Sequence, residues 1–163
     1  MSVQELESKL NAGSRQNRYQ LLITVPSGVS SDTDTWRILC QSASVPGDTR
    51  GVIEIMRDGS KIRLAGDSET TAELPISIQV PSGSDASLVY GAFYEWKELC
   101  GENSGYKTKI KMNQLDLDNS VAFSWDITGA WVSELPSVEF SSESVDTIQT
   151  FDVSLTVDKC VPA

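Results

Sequence analysis

The stretch YKTKIKMNQLDLDNSVAFSWDITGAW, residues 106–131, decides the fold. From Ala122 onward its odd positions are Phe123, Trp125, Ile127, Gly129 and Trp131, and its even positions are Ala122, Ser124, Asp126, Thr128 and Ala130. Side chains of a β-strand alternate between two faces, so one face is aromatic and predicted to meet a core. The other face is small and polar. Asp118-Asn119 tolerates the left-handed backbone of a two-residue hairpin turn. With the turn there, Met112 faces Trp125, Ile110 faces Ile127, and Tyr106 faces Trp131. On the reverse face Lys111 meets Asp126 and Asn113 meets Ser124. One register thus matches apolar with apolar and polar with polar, which predicts a long antiparallel hairpin.

Strands extend outward from this hairpin on both sides. RYQLLITV (18–25) ends at the turn signal Pro26-Ser27-Gly28, and TWRILCQSASVP (35–46) places Trp36, Ile38, Cys40 and Ser42 on one face. GVIEIMRDGSKIRLAG (51–66) is divided by Asp58-Gly59, a tight hairpin turn. LPISIQVP (74–81) alternates Leu74, Ile76, Ile78 and Val80 with polar residues, and Pro75 suits a strand's beginning or edge. IQTFDVSLTVDKC (148–160) alternates Phe151, Val153, Leu155 and Val157 with Asp152, Ser154, Thr156 and Asp158.

One helix interrupts the series. SDASLVYGAFYEWKELCG (84–101) begins with Ser84 or Asp85 as a cap and ends at Gly101, with Leu88, Ala92, Phe93, Trp96, Leu99 and Cys100 as a packing stripe. The N-terminal VQELESKL spaces Val3, Leu6 and Leu10 as a short amphipathic helix or arm, too short to be stable without a surface to dock on. The predicted fold is mainly β: an antiparallel β-sandwich or barrel of about eight strands with one flanking α-helix. Residues 1–17 form an arm and residues 18–163 a single β domain.

Composition narrows the function. The 163 residues contain no histidine, which removes Ser–His–Asp and Cys–His nucleophile activation and the commonest zinc ligand. No pair of carboxylates stands out, so neither an enzyme nor a metal or cofactor site is expected. Cys40, Cys100 and Cys160 match no metal spacing and read as free thiols. MSVQELESKL lacks the apolar run of a secretion signal, and no stretch approaches the ~20 apolar residues of a membrane span. Folding in a reducing cytoplasm, with no membrane anchor, is expected. A net charge of −10 repels phosphates, so any contact with DNA is expected to be non-adhesive.

Several segments, in order, resemble the tail tube proteins of contractile-tailed bacteriophages. They are SRQNRYQLLITV, LCQSASVPG, KIRLAGDSET, AFYEWKEL and GAWVSELPSVEF followed by DTIQTFDVSLTVD. The matching residues are Arg15-Gln16-Asn17-Arg18-Tyr19, then Cys40, Ala43 and Pro46, then Ala65, Gly66 and Asp67. The closing strand matches through Ile148, Gln149, Thr150, Phe151, Val153, Leu155 and Asp158. The chain departs from that pattern at Ser68-Glu69-Thr70-Thr71, where the family carries an aromatic, and at Lys159-Cys160-Val161.

The resemblance implies a subunit that closes into hexameric rings, stacked into the rigid inner tube of a contractile tail. Implied partners are copies of itself, the tail sheath, baseplate and tail terminator proteins, and DNA passing through the lumen. Assembly in the host cytoplasm and a place in the virion follow. Lys107, Lys109, Lys111, Ser124, Asp126 and Thr128 are the lumen-facing residues this suggests, with lysines and acids giving a balanced wall; an ordinary solvent-exposed face is the plain alternative. Val3, Leu6 and Leu10 in the arm, and Asp48, Arg50, Arg57 and Asp58 in the region 46–70, are the suggested inter-ring contacts. One competing function is the inner tube of an injection or type VI-like secretion system with protein cargo. A second is a carbohydrate-binding sandwich, which would need Trp36, Trp96 or Tyr94 exposed; their apolar faces make them core candidates instead.

Overall fold

The computed structural model describes residues 2–10, 13–29, 40–102, 104–143 and 145–163. Among them are nine strands, one more than the sequence count: β1 (Tyr19–Ile23), β2 (Cys40–Ala43), β3 (Asp48–Arg57), β4 (Ser60–Thr70), β5 (Glu73–Gln79), β6 (Thr108–Leu115), β7 (Val121–Glu134), β8 (Thr150–Thr156) and β9 (Lys159–Pro162). Two helices accompany them, α1 (Val3–Leu10) and α2 (Ser84–Leu99). All pairings are antiparallel, and the fold is mainly β as the alternation predicts. Trp36 and Ile38 lie outside the described residues.

β7 organises the molecule. Its front half pairs with β6 on one side and β9 on the other, completing a four-stranded sheet in the order β1-β6-β7-β9. Its rear half pairs with β8 and continues into a second sheet, β7-β8-β5-β2. The bend between the halves falls at Gly129, where φ is +69° and the register with β6 shifts. A bulge adds one residue to one strand and reverses its in–out alternation. Ile127 is buried before the bulge, and Ala130 and Val132 after it.

That bulge corrects the sequence reading of the aromatic face. Trp131 falls on the opposite side from Ile127 and is only half-buried, although its ring still meets Tyr106 edge-on at 6.1 Å. Phe123 is 43% exposed and packs edge-on against Trp125 at 4.7 Å. The β6–β7 register otherwise matches expectation from Lys109–Thr128 to Gln114–Phe123. The turn does not: Asn119 N–H donates to Asp116 O at 3.0 Å and Asp116 N–H to Ser120 O at 2.8 Å, so the loop spans 116–120. A second register shift beside Leu115 absorbs the difference.

The core lies between the two sheets. Leu21, Ile23, Ile110, Met112 and Ile127 come from one, and Leu74, Ile76, Ile78, Val153 and Leu155 from the other. α2 adds Val89, Ala92, Phe93 and Trp96, with Phe93 edge-on to Phe151 at 6.1 Å. Trp96 Nε1 donates to Tyr106 O at 2.8 Å, which satisfies the indole while its ring is fully buried. Leu88, predicted in the stripe, is exposed instead; Val89 takes the buried place. The N-cap is Gly83 at φ +80°, one residue before the predicted cap.

Candidate functional site

The β1-β6-β7-β9 sheet turns one face to the core and leaves the other open. Antiparallel partners directly opposite one another share a face, so Lys109–Thr128 and Lys111–Asp126 stand together on the open side. β9 extends both rows, placing Lys159 opposite Thr128 and Val161 opposite Asp126. Ser124 and Asn113 form a third row with Gln20 of β1. Asn113, predicted simply to pair with Ser124, is buried: its Nδ2 donates to Gln20 Oε1 at 3.3 Å and its Oδ1 has no partner.

Lys107 flanks this face just before β6. Its Nζ donates to Asp158 Oδ2 at 2.8 Å, and that hydrogen bond pushes the ammonium pKa up by favouring the charged form. Lys111 stands opposite Asp126 in register, but the two make no ion pair within 4.0 Å among those found. Four lysines, Lys107, Lys109, Lys111 and Lys159, therefore stand against Asp126 and Asp158. A positive excess on a chain of net charge −10 is a segregation of charge, not an average.

Sequence reasoning missed Lys159. The alternation of 148–160 predicts one continuous strand, which puts Lys159 on the side of Phe151. In the structure β8 ends at Thr156, Asp158 N–H donates to Thr128 O at 3.0 Å, and the chain restarts as β9 against the front half of β7. The close succession of Asp158, Lys159 and Pro162 was the only available sign of that break.

The same sheet has two open edges. Among the described strands β1 pairs only with β6, and β9 only with β7. Unpaired backbone N–H and C=O groups along such edges are a template for further strand pairing.

Two further elements stand clear of the core. β3 and β4 form a separate two-stranded ribbon, closed by Asp58 at φ +51° and Gly59 at φ +77°, the paired left-handed conformations of a tight hairpin turn. Its suggested contact residues are all exposed. Asp48 accepts from Ser68 Oγ at 2.9 Å, Arg50 Nη1 donates to Gly66 O at 3.4 Å, and Arg57 Nε lies 3.9 Å from Asp58 Oδ2. In α1, Val3, Leu6 and Leu10 are likewise exposed. The structure thus places these residues on two separate projections, without bringing them together in one chain.

An open cavity of about 910 Å³ lies between β1, β2, β6 and β7; Tyr19, Cys40, Met112, Asn113, Gln114 and Trp125 are among its described lining residues, none of which is charged. Tyr19 Oη donates to Cys40 O at 3.1 Å across the gap between edge strands β1 and β2. Burial, with Cys40 beside it, pushes the Tyr19 phenol up to about 12. Cys40, Cys100 and Cys160 are free and half-buried, and burial raises each thiol pKa. Trp96 belongs to the core, whereas Tyr94, also a core candidate from sequence, is half exposed; Trp36 lies outside the described residues. No group of metal-ligating side chains occurs among the described residues, and no helix there is long and apolar enough to cross a membrane.

No protein-family model and no curated protein sequence matches the chain. Solved structures do. A chain of the sheath–tube complex of an extracellular contractile injection system (PVC), in its extended state, superposes with a TM-score of 0.70 at 17% identity, over 100% of this chain and 98% of that one. A chain of the tube-terminating cap of the anti-feeding prophage gives 0.70 at 20% identity, over 92% and 90%. The SPP1 tail tube gives 0.51 at 11% identity, over 91% and 78%. The chain has the tail-tube fold that its sequence resembles.

Proposed function

We propose that the chain is a structural subunit that closes into hexameric rings, stacked as the rigid inner tube of a contractile machine. The observation that carries this is the four-stranded sheet open at both edges, on a fold matched end to end by a chain of a sheath–tube complex. Joining the edge of β9 in one copy to that of β1 in the next removes both hazards and stiffens the wall. The polar face then lines the lumen, and the sheath surrounds the outside.

In its finer form the machine is a phage tail, the tube conducts DNA, and the protein resides in the virion. Lys109, Lys111 and Lys159 outnumber Asp126 on that face, so the wall a duplex would meet carries spaced, solvated ammonium groups with a net positive charge and not the balanced wall suggested from sequence. A second reading, an injection system with protein cargo, is favoured by the higher likeness to injection-system chains than to the phage tube, 0.70 against 0.51. Electron microscopy of concentrated protein tests the common part. Six-membered rings or hollow tubes are the expected result, and lone particles at every concentration would overturn it. Single rings that never stack would assign the chain to a tube end, and nucleic acid or protein recovered from native assemblies would separate the two cargoes.

A further inference from the structure

The positive excess of the open face is concentrated in one row. Lys107 is taken up by Asp158 at 2.8 Å, and Lys111 stands opposite Asp126 in register. That leaves Lys109 and Lys159, which flank Thr128 with no acid in their row and no ion pair among the described residues. Both are exposed. Their strands are two apart, so the two stems rise about 10 Å from each other, and Lys111 stands about 7 Å further along β6. The third row, Gln20, Asn113 and Ser124, is uncharged. The face therefore carries a cationic row beside neutral ones, on a chain of net charge −10.

Such a row attracts an anion, and its neighbours decide which kind. Nucleic acid is gripped by forked arginine guanidinium groups on phosphates and by aromatic rings under the bases. None of the residues paired across these three rows is an arginine or an aromatic. The middle row points the other way: Leu22 and Val161 lie at its two ends, with Asp126 between them. Aliphatic side chains have little to offer a phosphate chain, and Asp126 repels one. A polypeptide can use all of these groups. Its carboxylates meet Lys109 and Lys159, its apolar side chains meet Leu22 and Val161, and a backbone N–H or a basic side chain meets Asp126.

We propose that this face holds an acidic, partly aliphatic polypeptide, with carboxylates seated on the Lys109–Lys159 row. The proposal rests on the tube reading above, takes up its protein-cargo form and names the class of cargo. Exposed charge pairs of this kind are individually weak and screened by salt. A cargo that carries several carboxylates is therefore retained by many copies at once and still released when it is pushed.

The test measures fluorescence anisotropy of a short labelled peptide of Glu, Leu and Ser added to the full chain, with electron microscopy of the same samples. The same peptide with Lys for Glu, and oligothymidylate of equal charge, are the comparisons. The acidic peptide is expected to bind more tightly than both and to loosen as salt is raised. Lys109→Gln with Lys159→Gln is expected to keep circular dichroism and assembly and to weaken that binding about tenfold or more. Lys61→Gln with Lys97→Gln removes equal charge at exposed positions in β4 and α2, off this face, and should leave binding within about twofold. Rings or tubes that ignore the acidic peptide, or bind it undiminished after the Lys109 and Lys159 changes, would overturn the cargo class and leave the tube standing. Oligothymidylate bound as tightly or more tightly would overturn it in favour of nucleic acid. Single chains that never assemble, yet bind the acidic peptide through Lys109 and Lys159, would support the preference of the face and overturn the tube. Neither binding nor assembly would overturn both.

Discussion

Lys107 Nζ donates to Asp158 Oδ2 at 2.8 Å, and the Asp158 side chain lies directly over the open Cα of Gly129. That pair marks the corner at which β7 leaves one sheet for the other. The left-handed φ of +69° at Gly129 reverses the alternation of buried residues, and the missing side chain makes room for the carboxylate.

Gly129→Ala is therefore expected to destabilise the chain by about 2–5 kcal/mol. Roughly 1–2 kcal/mol comes from a Cβ in the left-handed region and roughly 1–3 kcal/mol from the collision with Asp158. Urea unfolding checks it, with a lower midpoint and an unchanged slope. A loss below about 0.5 kcal/mol would show that the corner relaxes freely, since that is the range of inert surface changes.

Asp158→Asn is expected to bring the Lys107 pKa back down toward that of an ordinary lysine, because the hydrogen bond to Asp158 is the leading cause of its rise. In the parent chain the pair's contribution is fully present below the unfolded lysine pKa and is lost as pH rises through the folded one. Nitrogen-detected NMR of the lysine ammonium groups follows this directly. An unmoved Lys107 titration would refute the pairing.

Tyr19 carries a second titration. Burial pushes its phenol up to about 12 from an ordinary 10.0, so between those values the unfolded chain releases the proton first. Stability from this group is intact below pH about 10 and falls from there to about 12. Ultraviolet titration of the phenolate band should show a late step near pH 12, and Tyr19→Phe should remove it.

Trp96→Ala is expected to cost about 3–5 kcal/mol, the range for deleting a large aromatic from a packed core. The fully buried ring stacks with Phe93 at 6.4 Å, and its Nε1 satisfies Tyr106 O. Calorimetry of the variant tests it. A surface-like loss would mean that α2 is not fixed to the sheets through this residue.

Lys109→Glu with Lys111→Glu is expected to leave the thermal midpoint within about 2 °C, since both side chains are exposed and neither makes an ion pair among those found. Assembly into rings should persist while cargo delivery changes. Loss of rings alone, with delivery never reached, would place these lysines at a copy–copy contact and not along a lumen.

Much of this architecture was legible in local pattern. The alternation in β5 and β8, the Asp58-Gly59 turn and the β6–β7 pairing were readable because a period of two and a turn's demand for positive φ are written in neighbouring residues. The front rows of the polar face followed from that pairing alone: Lys109 with Thr128, and Lys111 with Asp126. The burial of Asn113 was not legible, because it depends on what the assembled sheet brings over it.

The sequence by itself determined that the chain is a set of antiparallel strands with a polar-faced central hairpin, because side-chain periodicity is a property of adjacent residues. Only the tertiary structure decided that β7 bends at Gly129, that β9 peels away to place Lys159 opposite Thr128 in the same row as Lys109, and that the ribbon and α1 are left exposed. Those outcomes depend on which distant segments compete for the same edge or face. Asp158 reaches over Gly129 across 28 intervening residues, a chain reversal that no local pattern encodes.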